Sequence, residues 1–151
     1  VTDDEIEQLL QVARWTGSSR NTQPWEFIAI TDKALLKRIS ELRAPIAWVA
    51  EAPLAIAIVL DGKSPVAEAY DEGRVTERLL IAAHLLGLGG GVAWFGDDAQ
   101  QAEAKRFLGI PEERTARGVV VRGTDDHVAL LQPPYDATVR AVVDAAFEPA
   151  G

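Results

Sequence analysis

Positions 18 to 23 read Ser18-Ser19-Arg20-Asn21-Thr22-Gln23, a run of hydrogen-bonding side chains with one guanidinium among them. Hydroxyls donate or accept, and amides do both. Such a set suits a flat heteroaromatic edge that alternates N–H, carbonyl and bare nitrogen, or a row of ligand hydroxyls. Arg20 adds a cation that can approach a phosphate. Pro24 removes one backbone donor and fixes the exit of the loop. The same residues also describe a solvated turn closing a helix, and residue types alone leave both readings open.

Other clusters carry less. Gly87-x-Gly89-x-Gly91 has the spacing of a dinucleotide loop. Its glycines follow a helical stretch and precede an extended one, whereas a phosphate loop needs strand, glycines, helix in that order. No Lys-Ser/Thr follows, which excludes a P-loop. Asp125-Asp126-His127 could form a general-base unit but reads more simply as turn acids, and Glu112-Glu113-Arg114 as a loop charge run. His84 sits in an apolar helical stretch and is read as a packing residue. Ser18 and Ser19 have no evident base beside them. No catalytic residue is named.

The elements that position the loop follow from patterning. Thr2-Asp3-Asp4-Glu5 fits a capping box, and Ile6, Leu9, Leu10 and Ala13 recur at helical spacing, predicting a helix over 3–14. Trp25 to Thr31 is aromatic and β-branched, a strand. Asp32 caps a short helix carrying Leu35, Leu36 and Ile39, and Pro45 to Ala50 supplies another turn or two of helix. Leu54 to Leu60 is a near-continuous apolar run, as expected of a strand buried on both faces. The longest helix spans 66–86, with a small-residue stripe of Ala69, Gly73, Thr76, Leu80 and Ala83, and Gly87 ends it. Such a stripe suits either a buried core helix or one at a subunit interface. Val92 to Phe95 is a short strand, Gly96-Asp97-Asp98 leads into a helix to Leu108, and Arg117 to Arg122 is a further strand. A last helix, capped by Asp136, carries Val139, Val142, Val143 and Ala146. This alternation indicates one α/β or α+β domain over 1–151.

Bulk properties narrow the function. With 151 residues, 48% hydrophobic and 25% charged, the chain is long enough for one good core. A net charge of −8 disfavours nucleic acid as a partner. The chain has no cysteine, which removes disulfides, thiolate nucleophiles and Cys-ligated metals; its two histidines, His84 and His127, have no metal-ligand spacing, so no metal site is expected. No apolar run reaches the roughly 20 residues a membrane helix needs, and no signal peptide is visible, so a cytoplasmic location is expected. Val1 starts a chain with no methionine, and residues upstream are expected.

Gly17-Ser18-Ser19-Arg20-Asn21-Thr22-Gln23-Pro24-Trp25-Glu26-Phe27 resembles the Pro-Ser-Ser-x-Asn-x-Gln-Pro-Trp-x-Phe segment of the FMN-dependent nitroreductase-like family. Leu79 to Gly89 is similar to the end of that family's long central helix, Ala-x-x-Leu-Gly-Leu-Gly, and Gly109-Ile110-Pro111 before a valine strand is a third match. Together they cover roughly residues 1 to 123. The resemblance implies an α+β, three-layer fold: a small mixed sheet flanked by helices, with the long helix at a homodimer interface and FMN bound there. It implies cofactor contacts from Ser18, Ser19, Arg20, Asn21 and Gln23, and from the backbone of Phe95 and Gly96, while Trp25 is core. It further implies an oxidoreductase that passes electrons from NAD(P)H through flavin to an electron-poor small molecule such as a nitroaromatic or quinone. The family's Arg-Arg-Ser-x-Arg segment, which precedes the position of Val1, is not in the chain, Gly17 replaces the usual proline, and the region around Gly123 to His127 is acidic where the family often has cations. These departures keep a second expectation open, a dimeric module that has lost its flavin.

Overall fold

The Thr2 hydroxyl accepts from the Glu5 N–H at 3.2 Å while the Glu5 carboxylate accepts from the Thr2 N–H at 2.8 Å, so the capping box closes as its spacing predicts. It starts α1, Asp3–Arg14. The Thr2 N–H, with help from Arg122, holds the Glu5 carboxyl below the ordinary carboxylate range. The computed structural model describes residues 1–123. Asp125-Asp126-His127 and the helix expected after Asp136 lie outside the described residues.

The other helices begin and end by equally local chemistry. Asp32 accepts from the N–H groups of Ala34 and Leu35 and starts α2, Lys33–Glu41. A 3₁₀ segment, Ala44–Glu51, follows. The long helix α3, Pro65–Leu85, has proline in its first turn, where no donor is needed. It stops at Gly87, φ +71°, whose N–H reaches the His84 carbonyl while Leu88 N–H reaches that of Ala83. Asp97 and Gln100 form a second capping box that opens α4, Asp98–Leu108.

Four strands make one sheet: β1 Trp25–Ile30, β2 Leu54–Leu60, β3 Gly89–Trp94 and β4 Gly118–Gly123, in the order β1-β2-β4-β3. Every described pairing is antiparallel, which corrects the expected mixed sheet. β2 is buried at all seven positions. Leu54, Ile56, Ile58 and Leu60 pack with Leu9, Ala13, Val75 and Leu79 of α1 and α3. The alternate set, Ala55, Ala57 and Val59, packs with Leu36, Ile39, Val49 and Phe95 on the opposite face. The apolar run thus marks a sealed central strand, and its sealing does not require parallel neighbours.

Three further expectations change. Gly89 to Gly91 belongs to β3 and not to a loop. A Cβ at Gly90 would lie 3.0 Å from Leu80 Cδ2 and 3.6 Å from Ala83 Cβ, so these glycines let α3 lie close on the strand. The buried stripe of α3 is Glu68, Asp71, Val75, Leu79 and Ala82. On the predicted stripe only Ala83 is buried; Thr76 and Leu80 are half-buried, and Ala69 and Gly73 are exposed. His84 is exposed, not packed in the core.

Candidate active site: a strained loop pinned to the long helix

The loop leaving α1 forms a 3₁₀ turn, Ser19–Asn21, with an unusual backbone. Arg20 (φ +56°), Asn21 (φ +56°) and Gln23 (φ +46°) all lie in the left-handed region without being glycine. Each such residue costs about 1–3 kcal/mol and persists only where its surroundings over-determine it. Here the constraints are visible. The Ser18 hydroxyl accepts the Gln23 N–H at 2.7 Å across the turn. The Ser19 N–H donates to both carboxylate oxygens of Asp71, at 2.9 and 3.0 Å, and the Ser19 hydroxyl donates to the same group at 3.1 Å. Asp71 is 1% exposed and lies on α3; Arg74 Nη1 meets it at 3.2 Å.

These bonds divide the predicted site residues by role. Ser19 commits its only hydroxyl proton to Asp71, so it positions the loop. Ser18 accepts from Gln23 and keeps its own proton to donate. The side chains of Arg20, Asn21 and Gln23 are exposed, and none has a hydrogen-bond or ion-pair partner among the described residues. Gln23 also lines a hollow of about 440 Å³ with Arg14, Trp25 and Phe27. Trp25 and Phe27 pack partly against the α1–α3 core, as expected for Trp25.

The second predicted segment follows β3. The Phe95 side chain is fully buried, and its N–H donates to the Arg117 carbonyl at 2.8 Å. Phe95 therefore spends its backbone donor inside the fold, and of the two expected backbone contacts Gly96 is the one with an N–H to spare. Gly96 is buried with φ +121°, and its N–H has no partner among the described residues. That φ strains any other residue, and a Cβ would also displace the Gln100 amide, 1.8 Å away, from its capping bond. Gln101 Nε2 holds the Gly96 carbonyl at 2.8 Å.

Both segments are tied to one turn of α3. Asp71 holds the loop; its neighbour Glu72 meets Arg117 at 2.5 Å, and Arg117 supplies the carbonyl that binds Phe95. Burial pushes the Glu72 carboxyl above its usual range, and Arg117 opposes that rise. Sequence reading missed Asp71 and Glu72. The available signal was phase: both acids lie near the line of Val75, Leu79 and Ala82.

The arrangement is a pinned polar loop plus a backbone turn with a spare donor; Asp71 does stand beside the Ser19 hydroxyl, contrary to the expectation of no base there, but it also binds the Ser19 N–H and lies buried as the anchor of the loop. It can bind and orient a planar polar ligand; it offers no acid–base couple of its own. The Nitroreductase family model matches residues 1–59. A protein of Archaeoglobus fulgidus, provisionally named as an NADH dehydrogenase/NAD(P)H nitroreductase, is 32% identical over 130 residues, 82% of this chain and 74% of that protein. The chain belongs to the nitroreductase family. A relative in Methanothermobacter thermautotrophicus with the same provisional name is 30% identical over 82% of the chain and 66% of its own length. Among solved structures, the fold of this nitroreductase matches an FMN-dependent nitroreductase of Clostridium difficile R20291, with a TM-score of 0.77 and 27% identity over 83% of this chain and 78% of that one. Membership makes the chain an oxidoreductase with the α+β nitroreductase fold. Among the described residues no helix is long and apolar enough to cross a membrane.

Proposed function

We propose that the chain is an FMN-dependent oxidoreductase that takes electrons from NAD(P)H and delivers them to an electron-poor small molecule, such as a nitroaromatic or a quinone, in the cytoplasm. The observation that carries this reading is the loop backbone: three left-handed non-glycine residues held by Asp71 and Ser18, with Arg20, Asn21 and Gln23 left unpartnered at the surface. A solvated turn has no need of such strain, whereas a ligand cradle gains from a fixed shape. The unpartnered Gly96 N–H fits the same ligand, since a backbone donor beside the flavin ring stabilises its reduced form. Asn21 and Gln23 would bind ring or ribityl oxygens, and Ser18 O–H and Arg20 the phosphate. When bound, the isoalloxazine supplies the two-electron chemistry, and the chain needs no side-chain acid or base of its own.

The name of the Clostridium difficile neighbour and the provisional names of the two archaeal relatives support the flavin and the nicotinamide donor, respectively. The decisive experiment is FMN titration followed by visible absorbance and fluorescence quenching. Asn21→Gly keeps the left-handed backbone but removes the amide, and is expected to weaken FMN by roughly tenfold, the worth of one buried hydrogen bond, with the unfolding midpoint unchanged. Unchanged affinity would remove Asn21 from the site. Colourless protein that leaves added FMN unquenched would favour the flavin-free module.

We further propose a homodimer built on α3. Val66 (74% exposed), Tyr70 (72%), Ile81 (50%) and Leu85 (79%) lie on its outer side as two i,i+4 pairs eleven residues apart, with exposed Gly73, Arg74, Glu77 and Arg78 between them. Four large apolar side chains left exposed on one helix mark an association surface. Ile81→Glu is expected to convert dimer to monomer in sedimentation velocity at micromolar concentration. An unshifted sedimentation coefficient would place the interface elsewhere.

A further inference from the structure

Arg43 stands directly before the 3₁₀ segment Ala44–Glu51, on extended backbone. Its side chain crosses to β3. The guanidinium carbon lies 5.1 Å from the centre of the Trp94 ring, and Nη1 donates to the Trp94 carbonyl at 3.3 Å. Its Cδ closes on the Gly96 turn, 3.1 Å from where a Cβ would stand. The ring contact, the carbonyl bond and packing thus hold a half-buried cation against the turn that carries the Gly96 donor left unpartnered among the described residues.

What it lacks is an acid. Arg38, Arg74, Arg106, Arg114, Arg117 and Arg122 each meet a carboxylate, whereas Arg43 meets none among the described residues. Acids outnumber basic residues in the chain, 23 to 15, so the lack of a carboxylate partner for Arg43 among the described residues is not for want of acids. Arg14, Arg20 and Arg78 are also unpaired, but they are exposed and no ring contact holds them. A guanidinium held over an aromatic face, with one N–H spent on a backbone carbonyl, keeps N–H groups that can grip a carboxylate or phosphate.

We infer that Arg43 binds the oxyanion of a small molecule that reacts at the Gly96 turn, and so biases this enzyme toward anionic reactants. This rests on the flavin reading above. Two sources share the chemistry: a phosphate of the reduced nicotinamide donor, or a carboxylate on the acceptor.

The test uses the full chain loaded with FMN, as wild type, Arg43→Gln and Arg43→Lys. One arm compares 4-nitrobenzoate with neutral 4-nitrobenzamide at fixed donor; the other varies NADH and NADPH at a fixed neutral acceptor. Arg43→Gln should lower the benzoate-to-benzamide ratio of kcat/KM, or raise the donor KM, by roughly tenfold. The arm that moves identifies the source, and Arg43→Lys should recover only part. Tryptophan fluorescence titrated with 4-nitrobenzoate or NADP+, neither of which reacts with the oxidised flavin, should rank the three proteins in the same order. Ratios and donor KM values all within twofold of wild type, at equal flavin content, overturn the inference and leave the flavin reading standing. Loss of flavin from Arg43→Gln assigns Arg43 to the cofactor and also overturns it. Wild type that takes up no FMN removes the reading beneath it, and the inference falls with it.

Discussion

Asp71→Asn is expected to destabilise the protein by about 2–3 kcal/mol and to weaken FMN by at least tenfold at temperatures where the variant remains folded. The carboxylate is 1% exposed and accepts three hydrogen bonds from Ser19. An asparagine offers one acceptor oxygen in place of two, and its NH₂ group would face donors. Ser19 would then leave a backbone N–H poorly paired in a part-buried setting, and Arg74 would lose its acid. Hydrogen bonds to charged groups contribute about 1.5–3 kcal/mol each; one Ser19 N–H is shared between the two oxygens, and asparagine keeps one acceptor, so the loss is that of about one such bond. The flavin effect separates positioning from mere stability. With its anchor weakened, the turn is free to relax its left-handed residues, and Asn21 and Gln23 lose their fixed aim. Urea unfolding, with midpoint and slope both recorded, measures the first effect, and FMN fluorescence titration the second. A shifted midpoint with wild-type flavin affinity would make Asp71 a structural anchor only and would weaken the case for the loop as a cradle.

Glu68→Ala carries the second large effect, and it falls on stability alone. Glu68 is 2% exposed and its carboxylate accepts from the N–H groups of Gly62, Lys63 and Ser64 at 2.8 to 3.0 Å. It therefore closes the tight connection from β2 into α3. Gly62 has φ +78°, and a Cβ there would lie 2.4 Å from the Glu113 carbonyl, so the connection has no room to rearrange. Removing the acceptor strands three donors at once, at about 3 kcal/mol. That corresponds to a Tm lowered by roughly 10 °C for a chain of this size. Glu68→Gln keeps one acceptor oxygen and should fall between. Calorimetry or far-UV melting gives the order; a Glu68→Ala midpoint within a degree of wild type would mean that these donors find water instead.

The sequence made the frame legible because its signals are local. Thr2 with Glu5, Asp32 and the helix-ending glycines at 87 and 109 each act within a few residues, and each element begins or ends where they stand. β2 was readable as a strand sealed on both faces, yet the direction of its neighbours was not, since burial says nothing about pairing polarity. Long-range contacts stayed hidden. Ser19 meets Asp71 across 52 positions, and Arg43 reaches Trp94 across 51. The loop could be recognised by its residue types, but its left-handed backbone could not, because Arg and Gln ordinarily avoid that region and part of what holds them, the Ser19–Asp71 contact, comes from far along the chain. Along α3 two phases compete: Ala69, Gly73, Thr76, Leu80 and Ala83 look apolar and small, yet the buried line runs through Glu68 and Asp71. Acids lining a core read as surface until their donors are known.

β2 gives one strand to both hydrophobic clusters, its even-numbered side chains to one and its odd-numbered ones to the other. Neither half can melt while the other keeps β2 in place. The amide protons of Ala55 to Ala57, flanked by β1 on one side and β4 on the other, should therefore exchange with deuterium only through complete unfolding, and the molecule should come apart in a single step and not in layers.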